Sequence, residues 1–211
     1  SQYELFVGDL ADHTPASDVV PYDLNMPLFS DYTSKYRFIR LPTGQQIEYR
    51  NEGVLEFPVG TLISKTFAYP VDMTDPDQGE KLLETRIEFR RDDGWYGFSY
   101  LWNDEQTEAN LVLGGGEVPV SWIHSDGRRR TNEYQIPNAN QCLNCHQQDE
   151  RYVPIGPVAA NMNRVSVFSH GSQNQLEYLR DRRLMTDAPD ADTIDVWPKY
   201  GSLTDGSNQS L

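Results

Sequence analysis

Residues 83–102 limit the fold more than any other part of this 211-residue chain. Thr85, Ile87 and Phe89 alternate with Arg86, Glu88 and Arg90, Asp92-Asp93-Gly94 follows, and Tyr96, Phe98, Tyr100 and Trp102 return in strict period two. Successive side chains of a strand point to opposite faces, so the pattern predicts an antiparallel hairpin turned at Asp92-Asp93-Gly94. Similar runs surround it. Residues 36–41 and 47–50 flank Pro42-Thr43-Gly44, residues 54–57 precede Pro58-Val59-Gly60, and residues 61–69 are rich in β-branched and aromatic side chains. Residues 110–113 and 118–123 flank Gly114-Gly115-Gly116, and Asp126-Gly127 turns into residues 128–136. Short strands with regular turn signals predict a mainly β fold, an antiparallel sheet, sandwich or partial barrel over about residues 34–136.

The flanks read differently. Pro15, Pro21 and Pro27 break any long helix, so residues 1–33 are expected to form a loop-rich arm that tucks Tyr22, Leu24, Met26, Leu28 and Phe29 against a core. Residues 137–185 are expected to be mostly helix and loop. Within them residues 173–184 form the best helix candidate, with Leu176, Leu179 and Arg183 on one face. Beyond residue 186 Asp, Pro, Gly and Ser dominate, and residues 186–211 read as a docked or frayed tail or linker. The length suits one domain.

The chain has two cysteines, Cys142 and Cys145, and His146 follows the second. Two thiols three residues apart reach the two vinyl groups along one edge of a haem, and the adjacent histidine is aimed at the iron, so C-x-x-C-H is the haem c attachment signal. A disulfide here would close a small strained loop. A redox pair of the thioredoxin kind sits in a βαβ context that the surrounding sequence lacks. Zinc would need further ligands at matching spacings. Asn138 or Asn140 is placed to cap a helix that starts at the motif. The cofactor expected is one covalent haem c, with Cys142 and Cys145 as thioether residues and His146 as proximal iron ligand.

For the sixth iron position the candidates are His124, which ends a predicted strand, and Met162, downstream of the motif beside the proline-bearing Val153-Pro154-Ile155-Gly156-Pro157; His13, His170, Met26, Met73 and Met185 complete the set. An open iron is the remaining possibility. Arg129 and Arg130, in the only basic run, are candidates for the haem propionates, against a solvated hairpin face. Asp187, Asp190, Asp192 and Asp195 lack the spacing and glycine of a calcium loop and read as a solvated acidic tail.

The formal charge of −14 argues against nucleic acid or an anionic membrane as partner. No apolar run is long enough to span a bilayer. Ser1 opens a polar segment without a signal-peptide pattern, as expected of a mature or excised chain.

Several segments together carry a family likeness: Val19-Val20-Pro21-Tyr22-Asp23-Leu24-Asn25-Met26-Pro27-Leu28-Phe29-Ser30-Asp31-Tyr32, Phe57-Pro58-Val59-Gly60-Thr61, Lys65-Thr66-Phe67, Glu84-Thr85-Arg86, Ser121-Trp122-Ile123-His124 and Ile136-Pro137-Asn138-Ala139-Asn140-Gln141-Cys142. With them the chain resembles a family of exported bacterial c-type cytochromes whose members carry a second C-x-x-C-H module downstream. That resemblance implies a periplasmic or extracellular haem domain of a larger multi-haem protein. The order Phe-Pro-x-Gly-Thr, a lysine-bearing strand, an aromatic strand and then C-x-x-C-H is also similar to cytochrome P-460 and the β-type cytochromes c′. This second resemblance implies a five-coordinate iron and sets Lys65 where cytochrome P-460 has a lysine joined to its haem; as an ordinary strand residue, Lys65 would face solvent. Both resemblances, and the lack of an amphipathic helix before Cys142, exclude the all-helical cytochrome c fold.

The expected function is electron transfer through the haem to a redox partner with a basic docking surface. The alternative is an open-site haem protein that binds or oxidises a small molecule.

Overall fold

The computed structural model describes residues 3–138, 140–141, 146–148, 151–196 and 199–201; Cys142 and Cys145 lie outside the described residues. The fold is mainly β, with a large antiparallel sheet, and is not all-helical. Strands β1 (Val19–Tyr22), β2 (Ser34–Arg40), β4 (Leu62–Pro70), β5 (Glu80–Arg91), β6 (Gly94–Trp102) and β7 (Ala109–Leu111) form one sheet in the order β1-β2-β4-β5-β6-β7. β3 (Ile47–Glu48) stands outside it. The period-two hairpin is β5/β6, with Phe89 opposite Tyr96, Ile87 opposite Phe98 and Thr85 opposite Tyr100.

The arm contributes a strand that its prolines concealed. Pro21 sits in β1 opposite Phe38, and β1 is the sheet edge, where a missing N–H is tolerated. Residues 54–57 form isolated bridges, Glu56 to Glu48 and Val54 to Val158, instead of a strand.

The sheet is covered on both faces. On the back, the arm lays Leu5 and Phe6 over Val19, Phe38 and Ile87, and Tyr3 bonds its hydroxyl to that of Tyr100 at 2.6 Å. His13 is buried there, its ring stacked on Tyr36 at 5.3 Å and its Nε2 3.0 Å from Thr66 Oγ1. Burial pushes the His13 imidazole below its ordinary 6.5, although Glu80 and Asp12 pull the other way. The unfolded chain then takes up this proton first. Stability is therefore expected to fall as pH drops below 6.5 towards the lower folded value. A His13→Phe chain should lose that part of the slope in denaturant titrations between about pH 7 and pH 5. An unchanged slope would assign the loss to other groups.

On the front, two lobes dock side by side. The hairpin of β8 (Gly116–Ile123) and β9 (Arg129–Ile136) packs Val120, Trp122, Tyr134 and Ile136 on Phe67, Tyr69 and Leu83. The C-terminal lobe packs helices α1 (Ala159–Met162), α2 (Gln175–Asp181) and α3 (Ala191–Val196) on Tyr22, Ile39 and Ile63 through Met162, Leu176, Leu179 and Ile194. Each such side chain, fully buried, contributes about 1.5–3 kcal/mol.

This lobe is less helical than expected. It also carries the two-stranded ladders of β10 (Gln147–Gln148) with β11 (Arg151–Tyr152) and of β12 (Val165–Phe168) with β13 (Gly171–Asn174). The predicted helix at 173–184 shortens to α2, capped by Asn174, whose side chain accepts from the Leu176 N–H. Part of the expected tail is built in. β14 (Met185–Thr186) pairs parallel with β3, and Ile194 is fully buried. Among the described residues no helix is long and apolar enough to cross a membrane.

Candidate functional site

Beside the C-terminal lobe part of the front of the sheet forms the floor of a cavity of about 460 Å³, walled by residues 22–30 of the arm and by His146, Tyr152, Ile155 and Tyr200, within the range of small-molecule and cofactor sites. The register arranges this face of the sheet in rows across β2, β4, β5 and β6, of which Lys35, Arg37, Ile63, Lys65, Arg86, Glu88, Gly97 and Ser99 border the cavity. One row is Ile39, Ile63, Glu88 and Gly97, the next Arg37, Lys65, Arg86 and Ser99, the third Lys35, Phe67, Glu84 and Leu101. The polar face of the predicted hairpin thus lines a cavity. Alternation reports that a face is polar, not what covers it.

His146 stands in the wall. Its Nδ1 lies 2.7 Å from Glu88 Oε1 and 3.1 Å from the Val153 carbonyl oxygen. Both neighbours are acceptors, so Nδ1 carries the proton and Nε2 is the ring atom left for a ligand. The pairing of β11 with β10 brings Tyr152 back beside it. The Val153 N–H donates to the His146 carbonyl at 2.7 Å, and the Tyr152 ring stacks on the imidazole at 5.1 Å and 8°. The Tyr152 hydroxyl donates to Glu88 Oε1 at 2.8 Å.

Burial pushes the Glu88 carboxyl up, but the hydrogen bond and charge of His146, the Lys65 ammonium and Tyr152 outweigh it, and the group lies below the ordinary carboxylate value. Gly97 makes the arrangement possible. A Cβ there would lie 2.6 Å from the Tyr152 oxygen. A glycine inside an otherwise aromatic strand is the sequence signal for such a close approach; Glu88, distant from the motif, left no local signal.

At the start of the motif Asn138 and Gln141 form a reciprocal cap. The Gln141 N–H donates to Asn138 Oδ1 at 2.9 Å, and the Asn138 N–H donates to Gln141 Oε1 at 2.8 Å. Asn140 and Gln141 are helical, so of the two expected caps it is Asn138 that does the capping.

The other candidates are not gathered here. β9 carries the chain about 25 Å from Arg129 to Ile136, so Arg129 and Arg130 stand at the far tip of the hairpin. There Arg130 pairs with Asp126 at 2.7 Å and Arg129 donates to Ser121 Oγ at 3.3 Å. His124 lies in the same tip. Its ring meets Tyr32 edge-on at 4.8 Å and Tyr32 meets Phe29 at 5.2 Å; Phe29 borders the cavity and His124 does not. Its Nδ1 is buried without a hydrogen-bond partner among the described residues. Met162 is fully buried in the core of the C-terminal lobe. Of the wider set, Met26 reaches the cavity, 48% exposed.

The cations that do border the cavity are Lys35, Arg37, Lys65 and Arg86. Burial pushes the Lys65 ammonium down to about 8, with Glu88 opposing and Arg86, Arg37 and Lys35 adding to the shift. Lys65 is half-buried and borders the cavity instead of standing on an open solvent-facing strand.

The donor set suits a haem c held by the 142–146 segment. A histidine fixed through Nδ1 keeps Nε2 for iron, and exposed apolar side chains, Met26, Leu28, Phe29 and Ile155, line the same cavity and offer a macrocycle its packing surface. Comparisons with protein-family models, curated proteins and solved structures return no match.

Proposed function

We propose that this chain carries one haem c, attached through Cys142 and Cys145 and ligated by His146, and that it transfers electrons. The observation that carries the reading is the fixing of His146 Nδ1 by Glu88 and Val153 at the edge of a cavity with apolar walls and a cationic floor. When bound, the haem supplies one-electron chemistry. The chain's own residues do the rest. Glu88 and Val153 orient the imidazole, Tyr152 covers one face of it, and Met26, Leu28 and Phe29 exclude water from the cavity. The formal charge of −14 favours the oxidised state and a partner with a basic docking surface. Because haem c is attached outside the cytoplasm in bacteria, the reading includes export to the periplasm or beyond, and it makes the domain one of several haem units of a longer protein.

Expressed with a c-haem maturation system, the chain should keep its haem after denaturation, and a Cys142→Ser/Cys145→Ser double variant should lose it. A chain that purifies with two free thiols and no Soret absorbance overturns the proposal.

The positions of His124, behind Tyr32, and Met162, in the core, favour a second reading, a five-coordinate open site. A high-spin ferric spectrum with rapid CO binding selects it. A low-spin spectrum indifferent to CO selects two-ligand electron transfer.

A further inference from the structure

Like charges directly opposite one another across strands repel, and sheets ordinarily avoid them. Here the register sets Arg37 opposite Lys65 and Lys65 opposite Arg86, with Ser99 next to Arg86 at the end of the row. Two of these cations are answered. Arg37, only 5% exposed, donates to Asp23 at 2.8 Å, and Arg86 grips Glu84 with two bonds of 2.8 and 2.9 Å. Lys65, between them, is not. Among the described residues its ammonium makes no hydrogen bond or ion pair, and it lies 5.1 Å from the Phe67 ring centroid. Beside Arg86, the Ser99 hydroxyl is buried and, among the described residues, also lacks a hydrogen-bond partner. Both side chains border the cavity. A chain with a formal charge of −14 has no general need for positive charge here, and a buried hydroxyl without a partner beside a half-buried ammonium without one ordinarily marks a missing partner.

We propose that this row is a carboxylate-binding site in which Lys65 Nζ and Ser99 Oγ donate to the anion while Arg37 and Arg86, held by Asp23 and Glu84, supply the field. Two donors match the two oxygens of a carboxylate. The carboxylate comes either from the propionates of the attached haem, in which case the inference rests on the haem reading above, or from a small free carboxylate entering the cavity.

The test compares the full chain, as purified, with its Lys65→Met and Ser99→Ala variants. Acetate is the probe for a free ligand. A saturable acetate-dependent rise in melting temperature, weakened about tenfold or more in Lys65→Met and to a lesser degree in Ser99→Ala, assigns the site to a free carboxylate. For the attached source the readout is the redox-difference infrared spectrum. Haem carboxylate bands that move in both variants, with acetate inert, assign the site to the propionates. Ser99→Ala removes one hydroxyl and keeps the fold testable if Lys65→Met does not fold. If the chain purifies without covalent haem, the haem reading fails by itself and the acetate series alone decides. Acetate responses alike in native chain and variants, with carboxylate bands unmoved wherever haem is attached, overturn the site.

Discussion

A Glu84→Ala chain is expected to lose about 3–5 kcal/mol of unfolding free energy, the usual cost of breaking a buried ion pair from one side. Glu84 is fully buried. Its carboxylate accepts both prongs of Arg86 and, at 2.9 Å, the hydroxyl of Tyr134 from β9. The residue therefore ties the β8/β9 hairpin to the main sheet as well as balancing a cation. Burial and Glu84 together push the Tyr134 hydroxyl upward, so it stays a donor across the accessible pH range. Alanine removes the two-pronged acceptor of Arg86 and leaves the buried Tyr134 hydroxyl without its acceptor at once. Glu84→Gln keeps an acceptor for one of them and should cost about 1–3 kcal/mol. Urea titrations read the difference as a shift in midpoint at constant slope. Equal midpoints for native and alanine chains would mean that the cost of burying the pair already cancels what it contributes.

On the proposed haem reading, Glu88→Gln should raise the midpoint potential of the haem-loaded protein. The amide oxygen can still accept from His146 Nδ1, so the substitution removes charge and leaves the contact in place. A carboxylate on the far nitrogen makes an imidazole a stronger donor and stabilises the more positive metal state. Without it the ratio of reduced to oxidised protein at fixed ambient potential should rise about tenfold, about 59 mV for a one-electron couple. Spectroelectrochemical titration measures this directly. A potential that does not move would leave the orientation of His146 to the Val153 carbonyl, 3.1 Å away, and make Glu88 a packing residue.

These two glutamates show how far the sequence could be read. The hairpin that carries them was plain from its alternation and its Asp92-Asp93-Gly94 turn, and it formed with the expected faces. Their surroundings were not plain. A period of two places Glu84, Arg86 and Glu88 on one polar side, but a side facing water and a side facing a cavity have the same pattern; what covers it arrives from residues 116–136 and 146–200 by tertiary packing. The motif at 142–146 carried the expectation of a cofactor site and gave no sign that Glu88 and Tyr152 would hold His146. The expectation for Arg129 and Arg130 leaned on closeness along the chain to Cys142, and that for His124 on a hairpin bringing the end of its strand back towards the motif. An extended strand turns that closeness into separation, because β9 spends its length moving away from the hairpin tip. The edge strand at Pro21 was hidden for a related reason: proline forbids a central strand and permits an outer one, and only the finished sheet says which strand is outer.

The placement of Tyr200 adds a consequence of another kind. Its backbone N–H donates to the Ala160 carbonyl at 3.1 Å and its side chain borders the cavity. The bond that holds the backbone of residue 200 to Ala160 therefore also holds an aromatic residue at the cavity rim, and any strain on that bond is felt first at the place where a solute would pass.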